Sequence, residues 1–220
     1  STAPDFAYFL HIPGLGRFSH SLKGLLLFNL PMAFVLAILF HVLVRDQVIQ
    51  QLPAYFRRRA VNIKPVAIGS YLLRNGHIFA ISALIGSFSH LFWDSFTHYN
   101  GYFVRHNAFL LQPVPLGITV MPVCRVLQHF STFAGFAVLL WHISKMPAAQ
   151  VTPKHWLGWM PYWILVGFIA AVYLLVNLPP HYHFSRPEQL VVPYISGILL
   201  GVLGLALLRK LRLQFQRSAI

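Results

Sequence analysis

Five apolar stretches, each about 20 residues long, restrict what this chain can fold into, because an α-helix of that length crosses a hydrocarbon core of about 30 Å. The stretches cover residues 22–44, 76–97, 126–146, 158–178 and 189–208. The chain of 220 residues is 57% hydrophobic and only 10% charged, which is too apolar for an ordinary soluble domain. The sequence therefore predicts an all-α, polytopic transmembrane helix bundle of about five spans, formed by a single domain over residues 1–220.

Proline and glycine positions add detail to this prediction. Pro31 lies inside the first stretch and predicts a kink, because proline removes a backbone hydrogen bond and crowds the preceding turn. Gly197 and Gly201 have the spacing that lets two membrane helices approach closely, although glycines that are simply tolerated in lipid would look the same. The chain begins at Ser1 without a methionine, so we expect that an N-terminal segment precedes it.

Basic residues between the stretches predict the orientation of the bundle, since loops rich in Lys and Arg are retained in the cytoplasm. Twelve of the 17 basic residues fall on one side. They are Arg45, Arg57, Arg58, Arg59, Lys64, Arg74, Lys145, Lys154, Arg209, Lys210, Arg212 and Arg217. The other five are Arg17, Lys23, Arg105, Arg125 and Arg186. This distribution predicts an N-terminus outside and a C-terminus in the cytoplasm, and, for a bacterial protein, a place in the inner membrane.

The net charge of +13 indicates lipid rather than nucleic acid as the partner. The basic residues lie between apolar stretches and do not form a stripe interleaved with aromatic side chains, as a nucleic-acid site would. Six of them lie within residues 45–75, where Asp46 is the only acid. That pattern is typical of a cytoplasmic loop that faces anionic lipid.

The segment Ser-His-Leu-Phe-Trp-Asp-Ser-Phe-Thr-His, residues 89–98, places ionisable residues in an apolar helix. His90, Asp94 and His98 recur at every fourth position and so share one helical face. The whole chain has only four acidic residues, which makes a carboxylate in this position unusual. Ionisable groups inside membrane segments generally mark functional sites.

The predicted orientation brings further candidates to the same outer face. Asp5 and His20 precede the first helix, and His129 lies one turn into the third. Residues at positions i and i+4 lie about 6 Å apart on a helix, so an imidazole and a carboxylate can bind one ion. Mixed His and Asp ligands without thiolates suit zinc, and also manganese or iron. The spacing is equally compatible with an Asp–His hydrogen-bonded pair that clamps two helices.

The remaining histidines indicate less. His41, His77 and His142 lie near the predicted cytoplasmic ends of the first three helices, a position typical of contacts with headgroups and helix-end carbonyls. An axial haem pair between two of these helices is the alternative. His181 and His183 alternate along a predicted outer loop, for which an exposed polar segment is favoured over late metal ligands.

Several other site types lack support in the sequence. Cys124 is the only cysteine, so the chain can form neither an internal disulfide nor a paired-cysteine zinc site. The sequence has no Gly-x-Ser-x-Gly elbow and no phosphate-binding glycine loop. The four acids are too scattered for a glycosidase carboxylate pair.

A set of ordered motifs resembles a known family. The motifs are Ala-Pro-Asp-Phe-Ala-Tyr-Phe near the start, Phe-Ser-His-Ser at 18–21, the segment 89–98, and Gln-His-Phe-Ser at 128–131. Their order and spacing resemble a bacterial membrane family, domain of unknown function 4184, across most of the chain. That family is distantly similar to membrane-bound metal-dependent hydrolases, whose pattern would fall here on Pro4-Asp5, Ser19-His20-Ser21, His90, Asp94, Thr97 and Gly101.

The resemblance implies a metal-dependent hydrolase. Together with the ligand types, which favour zinc, and the predicted orientation, it leads us to expect a metal centre at the outward membrane face built from Asp5, His20, His90, Asp94 and His129, with His98 in reserve. The metal would polarise an ester or phosphoester and activate water, and a site at headgroup depth favours a lipid or lipid-linked substrate. The sequence does not separate ligand from general base for His98 and His129.

Two departures from the hydrolase pattern qualify this expectation. Ala7 stands where the pattern has a second aspartate, and an early histidine in a Phe-Ser-His-Pro context would lie upstream of Ser1. The competing interpretation is a protein without enzymatic activity, either a structural bundle held by Asp–His clamps or a haem-binding bundle.

Overall fold

The computed structural model describes residues 2–117, 119–152, 155–178 and 188–218, and within them the chain is predominantly helical. The helices are α1 (Phe6–Phe9), α2 (Leu15–Ser19), α3 (Leu22–Gln50), α4 (Ala54–Ala60), α5 (Ile68–Thr97), α6 (Tyr102–His106), α7 (Val123–Lys145), α8 (Met160–Val176) and α9 (Glu188–Ser218). Short 3₁₀ turns cover Ala108–Leu111 and Trp156–Gly158. The prediction of an all-α bundle is confirmed.

Four helical segments are long and apolar enough to cross a membrane. They are Leu22–Gln50, Ile68–His106, Val123–Lys145 and Leu190–Gln216. The predicted span 158–178 is the shorter apolar helix α8, with 17 residues, which is about 26 Å long. Helix α8 nevertheless reaches from one end of the bundle to the other, as a contact near each of its ends indicates. Trp163 donates a hydrogen bond to the carbonyl of Gln51 (2.6 Å) near one end, and the Tyr173 ring packs on His11 near the other.

The helices extend beyond the apolar stretches that predicted them. Helix α5 begins at Ile68 and continues through Asn75, whose backbone is not helical (φ −123°, ψ 19°), whereas the sequence predicted a start at 76. Helix α9 continues to Ser218, ten residues past the predicted end at 208. Lys, Arg, Gln and Leu are good helix formers, so a helix can continue once it has left the hydrocarbon. Apolar stretches therefore mark where a helix crosses the membrane, not where it ends.

Helix α3 is irregular around Pro31. The segment Leu25–Asn29 is a π-helical turn in which the Leu30 N–H bonds to the Leu25 carbonyl, and a second π turn covers Phe40–Val44. Proline has no N–H to give, and a wider turn just before it is one way for a helix to accommodate the missing bond. The disturbance predicted at Pro31 thus takes the form of a π turn.

Helices α8 and α9 pack in antiparallel fashion through glycine. A Cβ atom added at Gly197 would lie 2.6 Å from the Ala170 Cα, and one at Gly201 would lie 3.5 Å from the Val166 Cα. Real Cβ contacts do not come as close as 2.6 Å, so Gly197 is required for this approach. Of the two alternatives for this glycine pair, close helix packing is the one observed.

The two ends of the bundle hold different parts of the chain. At one end the Arg209 guanidinium donates to the side-chain oxygens of Gln47 and Gln50, both at 2.5 Å, and Ala149 N donates to the Arg58 carbonyl at 2.8 Å. At the other end lie α1, α2, α6 and a β-hairpin in which Pro113–Leu116 pairs with Thr119–Pro122. No feature of the sequence predicted this hairpin. Beside it lies a small buried core of Val104, Leu110 and Cys124.

Candidate metal centre

Four side chains converge at the end of the bundle where α1 and α2 lie. One ligand atom from each of Asp5, His20, His90 and Asp94 can be chosen so that all four atoms lie within 4.8 Å of one another. Asp5 precedes α1, His20 lies between α2 and α3, and the other two belong to α5. Three separate segments thus supply the group, and all four residues were candidates from the sequence.

The two imidazoles face the two carboxylates through their Nε2 atoms. His90 Nε2 lies 3.3 Å from Asp5 Oδ2 and 3.2 Å from Asp94 Oδ2. His20 Nε2 lies 3.4 Å from Asp5 Oδ1 and 3.5 Å from Asp94 Oδ2. His90 Nε2 is buried and makes no well-directed hydrogen bond to either carboxylate. Ligands about 2 Å from a tetrahedral zinc ion lie about 3.3 Å from one another, so the spacing of these donors fits one such ion.

A backbone carbonyl fixes the orientation of His20. Its Nδ1 lies 2.8 Å from the carbonyl oxygen of Gly16 and 3.0 Å from the hydroxyl of Ser19. A carbonyl only accepts hydrogen bonds, so Nδ1 carries a proton in either charge state of the ring. When the ring is neutral, Nε2 is therefore the nitrogen left to bind a metal ion on the side of the carboxylates. Metal-binding histidines are typically held in this way by a partner on their second nitrogen.

Gly16 and Asn29 hold the segment that carries His20. A Cβ atom at Gly16 would lie 2.4 Å from the ring of Tyr8, so glycine leaves room for Tyr8 to lie against α2, where its ring centroid is 5.3 Å from that of His20. Asn29, buried in the first π turn, donates to the carbonyl of Ser19 at 2.9 Å. The irregularity of α3 therefore contributes to the placement of the site.

Charges at the group alter the acidity of its members outside the membrane spans. Burial works against ionisation of Asp5, but the close contacts and positive charges of the His20 and His90 imidazoles together outweigh it and hold the pKa of Asp5 below its ordinary value. Burial likewise opposes a charge on His20, yet hydrogen bonds to Asp5 and Asp94 raise its pKa to about 10. Burial, with Asp5 and Asp94 nearby, also raises the pKa of Tyr8. A metal ion would have to displace a proton from His20.

His98 lies beside the group of four. Its Nδ1 is 3.4 Å from Asp94 Oδ1, the oxygen that does not face His90, and 3.1 Å from the Thr97 hydroxyl. Helix α5 ends at Thr97, and His98 has an extended backbone (φ −114°, ψ 140°). Although His98 follows Asp94 by four residues, it therefore does not continue the helical face that carries His90 and Asp94. Its side chain is 47% exposed. The role of His98 as a metal ligand stays a prediction.

His129 is an exposed residue of α7 that does not join the group. Its neighbours Gln128, Ser131 and Thr132 line the cavity next to the site instead. Successive residues on an α-helix are rotated by about 100°, so Gln128 and His129 cannot point the same way. The polar positions 128, 131 and 132 have the i, i+3, i+4 spacing of one helical face, and that spacing was a signal in the sequence that could have identified the correct face.

The other histidines do not extend the group. Within the described ranges, Asp5, His20, His90 and Asp94 form the one set of three or more metal-binding side chains that meet, and it includes none of His41, His77 and His142. His181 and His183 lie outside the described residues. The haem alternative stays a prediction.

A cavity of about 430 Å³ adjoins the group. Its polar side includes Asp5, His90, Asp94, His98, Gln128, Ser131 and Thr132, and its apolar side includes Phe9, Trp93, Val191, Val192 and Ile195. The Arg125 guanidinium donates to Gln128 Oε1 at 2.8 Å, which leaves the Gln128 amide N–H₂ group for the side facing His98 (3.5 Å to Nε2). Trp93 donates through its indole nitrogen to the Ser131 hydroxyl at 3.2 Å. The cavity thus has a polar wall with oriented donors and an apolar wall.

Residues 1–208 match the family described as a domain of unknown function, DUF4184. The chain belongs to this family. Neither the curated proteins nor the solved structures gave a match. For this DUF4184 protein the motif resemblance is therefore confirmed, while the similarity to metal-dependent hydrolases stays a prediction. The family description names no activity, so any statement about chemistry depends on the side chains at the site.

Proposed function

We propose that this DUF4184 protein is a membrane-embedded, metal-dependent hydrolase that cleaves an ester or phosphoester in a lipid or lipid-linked substrate. The observation that carries the proposal is the convergence of two imidazole nitrogens and two carboxylates, 3.2–3.5 Å apart, at the edge of a cavity. Ionisable groups are costly at membrane depth. Two of the group, His90 and Asp94, lie in a membrane-spanning helix, and their contacts with Asp5 and His20 are explained more directly by a common ligand than by helix packing.

Asp5, His20, His90 and Asp94 would hold the ion, and their chemistry favours zinc over the other divalent metals. Two carboxylates and two neutral imidazoles balance the charge of a divalent ion, which reduces the cost of burying each carboxylate. When bound, the ion would polarise the ester or phosphoester oxygen and lower the pKa of a water molecule.

Two residues of the cavity are suited to proton transfer and substrate orientation. Asp94 Oδ1 holds the Nδ1 side of His98, and the Gln128 amide lies 3.5 Å from His98 Nε2. Once the amide turns to the substrate, His98 Nε2 would accept a proton from the attacking water as a general base. The amide N–H₂ group of Gln128, oriented by Arg125, can donate to a substrate oxygen on the same side. This assignment separates ligand from base in a way that the sequence alone did not.

The proposed orientation places the site at the outward membrane face, with the N-terminus outside and the C-terminus in the cytoplasm. It is supported by the excess of basic residues at the end of the bundle where Arg58 and Arg209 lie, since such residues are retained in the cytoplasm. For a bacterial protein, the substrate would then be a lipid of the outer leaflet of the inner membrane.

A comparison of three proteins tests the proposal. The purified protein, His90→Ala and the matched control His129→Ala are assayed in lipid vesicles with zinc for release of fatty acid from phospholipid and of phosphate from lipid phosphates. We expect hydrolysis of one of these substrates by the unchanged protein and by His129→Ala, and loss of it in His90→Ala. Equal turnover by all three proteins would exclude the proposed site.

A further inference from the structure

Two helices line the cavity without packing on each other along their length. Helix α7 supplies Gln128, Ser131 and Thr132 to one wall, and α9 supplies Val191, Val192 and Ile195 to the other. In the described part of the chain, α7 packs on α5 and on the hairpin region, whereas α9 packs on α8, α1 and the second π turn of α3. The cavity therefore lies at one end of a gap between α7 and α9, the end nearer to α1.

Nearly every residue of α7 beyond the cavity is exposed. Between residues 133 and 145 only Ala134 and Ile143 are even half-buried, while Phe133, Phe136 and Trp141 are 75%, 62% and 63% exposed. With 3.6 residues per turn, a run of exposed positions this long includes the face towards α9. These side chains are apolar and lie in a span that is long enough to cross the membrane, so the gap is a space for hydrocarbon rather than for water.

The lining of the cavity combines polar and apolar residues, as a site for an amphiphile requires. Its polar wall carries the candidate metal group and the Gln128 amide, and its apolar wall ends at the start of α9, where Val191 is 52% exposed. A volume of about 430 Å³ is near the lower end of the range for small-molecule sites. It accommodates a headgroup or ester linkage but leaves long hydrocarbon chains to lie elsewhere.

We infer that the gap between α7 and α9 is a lateral opening through which a membrane lipid reaches the cavity directly from the bilayer. The lipid chains lie against α7 and the start of α9, and the polar linkage lies between Thr132 and the group around Asp94. The inference rests on the proposed function for the chemistry at that linkage, but the binding of a lipid needs no metal.

Photo-crosslinking in vesicles of phosphatidylethanolamine and phosphatidylglycerol tests this opening. The crosslinking residue p-benzoylphenylalanine replaces Ile195 in the cavity wall, Phe136 on α7 or, as a control, Leu175, which is a 71% exposed residue of α8. Mass spectrometry then identifies what is attached. We expect lipid adducts at all three positions, and loss of the Ile195 adduct, but not of the Leu175 adduct, when Val192→Trp fills the apolar end.

Two outcomes would overturn the inference. One is an adduct at Leu175 with none at Ile195 in a protein that remains monodisperse on gel filtration. The other is a crosslink at Phe136 to a second copy of the chain, which would mean that a dimer partner covers the gap. Repeating the Ile195 experiment in Asp94→Asn separates the two proposals, since the lipid adduct should persist there. Metal binding without an Ile195 adduct contradicts the opening alone, and an adduct in a protein that never binds metal contradicts the proposed hydrolase alone.

Discussion

The carbonyl oxygen of Gly16 lies 2.8 Å from Nδ1 of His20 and thereby determines which nitrogen of the imidazole faces the two carboxylates. Gly16 also leaves room for the ring of Tyr8, which packs beside the His20 ring and with which any side chain at position 16 would collide. The geometry of the candidate centre therefore depends on a residue that cannot itself bind a metal.

Gly16→Ala should weaken zinc binding without removing a ligand. The added Cβ would lie 2.4 Å from the Tyr8 ring, so either that ring, which packs beside His20, or the α2 backbone, whose carbonyl holds His20 Nδ1, must shift. His20 loses part of its support in either case. Loss of such a supporting contact typically costs 10–100-fold in metal affinity. Competition with a chromogenic zinc chelator measures the change. Gly69→Ala is the control, since its Cβ would meet nothing within 4 Å, and equal affinities in the two variants would contradict the role of Gly16.

His98→Ala should keep the metal and lose hydrolysis. His98 faces Asp94 Oδ1, whereas His20 and His90 face Oδ2, so the four proposed ligands remain when His98 is removed. Zinc content by mass spectrometry and the hydrolysis rate are measured on the same sample. A loss of zinc in this variant would show that His98 is a ligand and not the general base.

Zinc affinity should increase with pH. The pKa of His20 is raised to about 10 in the metal-free protein, so below that pH a proton must leave before zinc binds, and release of one proton strengthens binding roughly tenfold per pH unit. Titrations at pH 6, 7 and 8 measure this slope. An affinity that does not change over this range would contradict the raised pKa of His20.

The metal-free protein should show the opposite trend in stability. A pKa raised by folding stabilises the folded state fully below the unfolded value of 6.5, and this contribution is lost as the pH rises through about 10. The lowered pKa of Asp5 contributes above its ordinary value of 3.8 and is lost in acid. With a chelator present, the unfolding temperature should therefore fall between pH 7 and pH 10, and less so in His20→Ala.

Gly197→Ala should destabilise the pair of helices α8 and α9, while Gly204→Ala should not. The Cβ at position 197 would lie 2.6 Å from the Ala170 Cα, whereas the one at position 204 would meet nothing within 4 Å. Overpacking of this kind typically costs about 1–3 kcal/mol. Thermal unfolding in detergent compares the two variants, and equal unfolding temperatures would contradict the close packing.

The sequence predicted the membrane helices and most of the site because both depend on local spacing. Apolar stretches of sufficient length identify the spans, and the spacing of His90 and Asp94 places them side by side on α5 whatever the rest of the chain does. Asp5 and His20 are different, since only the motif resemblance and the predicted orientation connected them to α5. The structure brings them there through Gly16, Asn29 and the π turn before Pro31.

Residue spacing does not predict features of the site and of the helix ends that tertiary packing determines. His129 was preferred in the motif Gln-His-Phe-Ser because histidine binds metals, yet the side of α7 that faces the cavity is set by packing against α5 and carries Gln128, Ser131 and Thr132. His98 follows the helical spacing in the sequence, but the helix ends one residue before it. The length of α8 and the ends of α5 and α9 depend on packing and solvent beyond the membrane, which hydropathy does not register.

The metal content of the purified protein and of Asp94→Asn tests the central claim most directly. Asp46→Asn is the matched control, because it changes a carboxylate to an amide at an exposed position (72% of the side chain) outside the group. After dialysis against zinc and removal of free metal, we expect about one zinc ion per chain in the unchanged protein and in Asp46→Asn, and loss of it in Asp94→Asn. Equal amounts of zinc in all three proteins would contradict the candidate metal centre. So would a folded, unchanged protein that bound no zinc, and that result would leave the four residues as a structural clamp.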